Sequence, residues 1–282
     1  MLFPRTAFRA AGLLALCALI ALPALAQPPT IKRGVDLFTT PAGSGTVVDF
    51  ASNPVPAGFF CSGSAPFTGV VPLQGVPLPT SPAGIAGTTD TIVERLTDAV
   101  FSTTGTATFS VVLRAMRLTG SNTITVDCPE GPTTWRVDVC ACRLQPTNTI
   151  TVTIDPACGT CGKATGQLRI QACITFTRTD TGQVAGPLQQ NIVLDFNKMD
   201  WCYKAGAREQ IVSQPFGVDT NCDGQPDLTL PATSNFHPGW KCANQGLDCW
   251  AQFAALTHCH PNFTNPGSHE HCINPVCGDR TN

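Results

Sequence analysis

The chain has 282 residues, 17 basic against 19 acidic side chains, and only 13% of it is charged. A near-neutral balance without a basic stripe argues against a nucleic-acid partner, because phosphate binding needs clustered cations. With 25 glycines and 24 prolines the composition suits a turn-rich β protein and argues against a helical one.

The first residues read as a leader. Arg5 and Arg9 precede an apolar run over 10–22, Pro23 breaks it, and Ala24-Leu25-Ala26 puts small residues where a signal peptidase cuts. This predicts a secretory signal peptide over 1–26, removed before Gln27. The run is too short for a comfortable transmembrane helix, and no later stretch is long and apolar enough to span a bilayer. The mature chain is therefore expected to be secreted, extracellular or periplasmic, with no membrane span. Loss of the leader leaves 15 basic against 19 acidic side chains. Cys17 leaves too, so 14 of the 15 cysteines remain. An even count behind a signal peptide predicts a disulfide framework of up to seven bridges whose connectivity the sequence leaves open. Zinc knuckles need paired Cys-x-x-Cys units, and only Cys158 and Cys161 have that spacing.

Residues 27–105 form a Pro/Gly-rich N-terminal β region. Short strand-like runs occur at 46–50, 70–73 and 91–95, separated by proline-rich loops that keep the strands short or at edges. The strongest periodicity lies in 106–200, which predicts an antiparallel β-sandwich region. Ala107, Phe109, Val111, Leu113 and Ala115 make one apolar face, opposed by Thr108, Ser110, Arg114 and Met116. Trp135, Val137, Val139 and Ala141 alternate with Arg136, Asp138, Cys140 and Cys142. Leu168, Ile170, Ala172, Ile174 and Phe176 alternate with Arg169, Gln171, Cys173 and Thr175. Such strands cover a core on one side only. The run at 122–127 is echoed at 148–153, each followed by a cysteine-bearing turn and a further strand, so that Cys140 and Cys173 occupy equivalent places. A repeated strand-turn-strand unit suits a sandwich built from hairpins.

Residues 201–282 read as a small Cys/His-rich C-terminal module. It holds all five histidines, together with Trp240 and Trp250. One helix is expected over 248–257, capped by Asp248, with Trp250, Phe253, Ala254 and Leu256 on its apolar side.

The most specific motif is Asp219-Thr220-Asn221-Cys222-Asp223-Gly224-Gln225-Pro226-Asp227. Oxygen side chains at alternate positions, a glycine at the sixth and a carboxylate at the ninth are what a loop needs to wrap Ca²⁺, and the Gln225 carbonyl can add a ligand. The expected ligands are Asp219, Asn221, Asp223, Gln225 and Asp227, with Cys222 pointing out of the loop and tying it by a disulfide to the rest of the C-terminal module. These nine residues resemble the calcium loops of the thrombospondin type 3 and dockerin families. The resemblance covers this segment alone, and it departs at position twelve, where the families carry an acid and this chain has Leu230.

A second candidate centre is the histidine cluster. His258 and His260, like His269 and His271, put two imidazoles on one face of extended chain, with Cys259 and Cys272 beside them. Imidazole clusters bind Zn²⁺ or Cu²⁺. Cys158 and Cys161 are flanked by strands instead of opening a helix, so a structural disulfide is expected there in preference to redox chemistry. Asn262-Phe263-Thr264 is a glycosylation sequon. No nucleophile elbow, phosphate-binding loop or dinucleotide fingerprint occurs. The sequence thus predicts a secreted, disulfide-stabilised, calcium-binding β protein with a structural, adhesive or ligand-binding role toward an extracellular ligand or surface component. The alternative is a secreted zinc or copper metalloprotein or metalloenzyme using the C-terminal histidines.

Overall fold

The computed structural model describes residues 30–43, 45–156, 161–203, 212–234, 236–238 and 258–259. The leader, the expected helix over 248–257, the sequon, Cys158, His260, His269 and His271 lie outside these residues, and His258 and Cys259 are described by backbone alone. Among the described residues seventeen strands follow in chain order. They are β1 Thr30–Ile31, β2 Gly34–Thr39, β3 Val47–Asp49, β4 Val70–Gly75, β5 Thr80–Ser81, β6 Thr91–Arg95, β7 Ala99–Val100, β8 Thr106–Gly120 and β9 Ile124–Cys128. Next come β10 Gly131–Ala141, β11 Thr147–Ile154, β12 Cys161–Arg178, β13 Val184–Tyr203, β14 Phe216–Val218, β15 Leu228–Leu230, β16 Phe236–Pro238 and β17 His258–Cys259. Among the described residues there is no helix, and the chain is an antiparallel β-sandwich protein, as the composition and alternation predict.

The main sheet runs β16-β13-β12-β10-β8-β6-β2-β17. Two long strands organise it. β8 pairs with β11 through its first half and with β10 near its end, and β12 pairs with the same two strands through its own first and second halves. The two echoed segments become two hairpins, β9-β10 and β11-β12. Their equivalent cysteines lie directly opposite each other, Cys140 against Cys173, with Val139 facing Ile174 and Ala141 facing Ala172. The hairpins are thus related by a local two-fold through that pair.

Period-two alternation puts Trp135, Val137, Val139, Leu168, Ile170, Ala172 and Ile174 into one core, each at most 1% exposed, while Arg136, Arg169 and Gln171 face outward. Burying such side chains is worth about 1.5–3 kcal/mol each. Aromatic residues from the proline-rich segment complete this core. Phe60 lies 5.2 Å from Trp135 and 5.0 Å from Phe176, ring to ring. The Cys61–Cys128 disulfide ties that segment to β9.

β8 departs from simple alternation. Val93 pairs with Leu113 and Ile92 with Ala115, so Arg114 is an extra residue opposite β6, a β-bulge. The bulge reverses parity. Up to Leu113 the odd residues face the main core; beyond it Met116 and Leu118 do, and Met116 is 1% exposed instead of lying on the wet face. Ala115 turns to the other side, where it joins Val35, Leu37, Ile92, Phe216, Val218 and Leu230 in a second core. A three-stranded sheet, β15-β14-β5, therefore packs over the outer face of β2, β6 and β8. β2 and β6 are covered on both sides, which explains why they carry almost no solvent-facing residue.

Two carboxylates sit inside this framework. Asp36 is paired with the fully buried Arg95 at 2.9 Å, and the guanidinium also donates to Ser234 Oγ and to the Lys32 carbonyl. Among the described residues Asp90 has no cation beside it. It accepts from the Thr40 amide and from the Thr40 and Thr91 hydroxyls. Burial pushes its carboxyl up to about 7 against those hydrogen bonds, which favour the charged form. Gly75 packs against it, and a Cβ there would collide with the carboxylate.

Candidate functional site

The calcium-type segment is the connection of the β14-β15 hairpin, whose strands pair Phe216 with Leu230 and Val218 with Leu228. Phe216, Val218 and Leu230 are buried in the second core, so the base of the loop is fixed by packing. Asp227 N donating to the Val218 carbonyl at 3.0 Å, and Asp219 N to the Pro79 carbonyl at 3.1 Å, close that base.

Within the loop the expected ligands fall into three arrangements. The Asp219 side chain is fully buried beneath the turn. Its Oδ1 accepts from the amides of Asn221 (3.1 Å) and Cys222 (2.7 Å), and its Oδ2 from Gly224 at 2.8 Å. A buried carboxylate must be hydrogen-bonded, and this fan of amides does so locally. Asn221 and Asp223 form the second. Asn221 Nδ2 donates to Asp223 Oδ2 at 3.1 Å, the Asp223 amide donates to Asn221 Oδ1, and the Gln225 amide donates to Asp223 Oδ1. These successive Asx turns wind the chain with its polar side chains outward. Third, Asp227 accepts from both the amide and the hydroxyl of Thr220 at 2.9 Å. Thr220 stands between two ligand positions, so the motif by itself assigns it no role. Gly224 has φ +93°, a conformation in which a side chain is strained.

Asn221, Asp223, Gln225 and Asp227 are exposed to solvent. Three carboxylates with an amide and a backbone carbonyl are a hard-oxygen set of the kind calcium takes. In the geometry described, their oxygens are engaged with the loop's own donors. Among the described residues no three His, Cys, Asp or Glu side chains are grouped so as to hold a metal ion.

Cys222 corrects one expectation. It bonds to Cys140 on β10, 82 residues earlier in the chain, and not to the C-terminal segment. The physical reason is the overhang of the small sheet: packed on β2, β6 and β8, it carries the loop across the outer face to β10. A second bridge, Cys142–Cys173, crosses β10 and β12 beside it. Cys161 is also disulfide-bonded.

The loop walls a cleft of about 720 Å³ on this outer face. Arg117 and Thr119 come from β8, Arg136 and Asp138 from β10, and Thr175 and Thr177 from β12, with Asn221 and Cys222 closing one side. Asp138 accepts from Arg136 Nε at 2.8 Å and from the Thr119 hydroxyl at 2.9 Å. No local motif marks this cleft, because its residues come from separate strands and a loop.

Compared with protein-family models, with curated proteins and with solved structures, the chain matches none.

Proposed function

We propose that the chain is a secreted, disulfide-stabilised, calcium-binding extracellular β protein with a structural, adhesive or ligand-binding role. The observation that carries this reading is the setting of the 219–227 loop. It presents Asn221, Asp223 and Asp227 to solvent from a base held by a buried core and by the Cys140–Cys222 bridge. A loop anchored in this way has little ordering entropy left to lose when a cation draws its oxygens together. Calcium would supply the positive charge that Asp219, Asp223 and Asp227 lack, and with Asn221 and the Gln225 carbonyl these are the groups that would hold it in exchange for the loop's own hydrogen bonds.

Melting of the mature protein with and without calcium tests this. Binding to the native state alone adds about 2.7 kcal/mol at a hundred times Kd by mass action. The wild type is expected to melt higher in calcium than in EDTA, and Asp223→Ala to lose that difference while keeping the β signal in circular dichroism. An unmoved melting curve for the wild type refutes the calcium reading.

A further inference from the structure

We propose that the cleft over β8, β10 and β12 binds a linear acidic polysaccharide, with Arg117 and Arg143 as its anion-binding residues. The cleft lies on the outward face of the sheet, where alternation leaves polar side chains. Among the described residues three arginines, Arg117, Arg136 and Arg143, line it against one carboxylate, Asp138, in a chain whose formal net charge is −2. Asp138 is already bound by Arg136 and Thr119. Among the described residues neither Arg117 nor Arg143 has an acidic partner, whereas Arg95, Arg114, Arg136 and Arg178 each have one. Guanidinium groups gathered along a concave surface without a counter-charge, Arg117 half-buried and Arg143 exposed, favour an oxyanion of carboxylate or sulfate type.

The spacing of the cations selects an extended ligand. Arg136 lies five residues before the end of β10 at Ala141, roughly 16 Å of strand at ~3.3 Å per residue, and Arg143 lies just beyond that end. Arg117 falls between them, opposite Cys140 in the register. A single phosphate or sulfate can meet one of these groups, and a polymer with repeated charges can meet all three. The remaining lining suits a saccharide. Thr175 and Thr177 line the cleft without a side-chain hydrogen-bond partner among the described residues, and among those residues no aromatic ring lines it for a nucleobase to stack on. The floor is covalently braced by Cys140–Cys222 and Cys142–Cys173, so little ordering opposes binding. The inference rests on the extracellular reading only for where such a polymer is met; it does not require calcium, although Asn221 of the calcium-type loop is part of the wall.

The test is titration calorimetry of the mature protein, in calcium and again in EDTA. The probes are a heparin hexasaccharide, an oligogalacturonate, inorganic sulfate, a neutral cello-oligosaccharide and an oligothymidylate of matched charge. At least one acidic oligosaccharide is expected to bind in both buffers, weakening roughly tenfold between about 50 and about 200 mM salt. The neutral sugar is expected not to bind. Arg143→Gln, at an exposed position that folding does not need, is expected to weaken binding about tenfold or more, and Arg117→Gln to do the same with an unchanged melting temperature. The proposal is overturned if neither acidic oligosaccharide binds at low salt. It is equally overturned if both variants bind like the wild type, if the oligothymidylate binds more tightly, or if inorganic sulfate at equal charge displaces the oligosaccharide. Binding that persists in EDTA alongside an unmoved calcium melt would remove the calcium reading and leave this one standing.

Discussion

The two faces of β10 make the most instructive comparison in the molecule. Trp135, Val137 and Val139 on one side are fully buried among Phe60, Phe176 and Leu168. Arg136, Asp138 and Cys140, interleaved with them, face a polar cleft and a disulfide. Neighbouring residues in one strand thus do unrelated work: the inner face supplies stability through apolar area, and the outer face supplies charge and covalent anchorage. The lesson is that the charged positions of the outer face can change their chemistry at little cost to the fold, whereas its cysteines cannot.

The largest expected effect is on the inner face. Trp135→Ala removes a fully buried ring and its Nε1 hydrogen bond to Thr133 at 2.9 Å, and should cost about 3–5 kcal/mol in denaturant unfolding. Arg136→Ala, one residue along, should cost under about 1 kcal/mol, because an exposed pair contributes little. Equal costs would end the distinction between the faces.

Carboxylates sharpen the same contrast. Asp90 is buried with no cation beside it among the described residues, whereas Asp138 on the outer face has Arg136. Because the folded pKa of Asp90 is raised to about 7 from 3.8, between those pH values the native protein holds a proton that the unfolded chain has released. Stability from this group is fully present below about pH 4, falls as pH rises toward about 7, and is flat above, a loss of at most about 4 kcal/mol by linkage. Asp90→Asn imitates the protonated form and should flatten the stability profile between those limits. A profile unchanged by the substitution would show that Asp90 does not titrate there.

Removing the outer-face anchor is the next test. The Cys140→Ser, Cys222→Ser double variant should lose about 2–4 kcal/mol, since the bridge closes a loop of 82 residues. The Cys142–Cys173 bridge spans 31 residues and should be worth less by under about 1 kcal/mol on chain entropy alone. If calcium still raises the melting temperature of the double variant, packing of the hairpin base suffices to organise the loop. The smallest effect belongs to Arg143→Gln, which should change stability by under about 0.5 kcal/mol while it tests the cleft, because the side chain is exposed and unpaired among the described residues.

Much of this was legible in the residues. The strands at 107–113, 135–141 and 168–176, their buried faces, the antiparallel class and the presence of disulfides follow from period-two alternation and cysteine number. Alternation is a local property: successive side chains must point to opposite faces, so six or seven residues suffice to assign them. The loop at 219–227 was visible for a similar reason, since its oxygen, glycine and carboxylate positions are all near in sequence. What tertiary structure decided was everything that depends on register between distant strands. The bulge at Arg114, which moves Met116 into the core, exists because β6 and β8 must satisfy two cores on opposite faces. The partner of Cys222 was settled by the small sheet packing across β2, β6 and β8, which brings residue 222 onto residue 140. The cleft, with Arg117 from one strand and Arg136 and Arg143 from the next chain segment, came into being only once those strands lay side by side, because pairing of strands is a long-range choice that no short stretch of sequence contains.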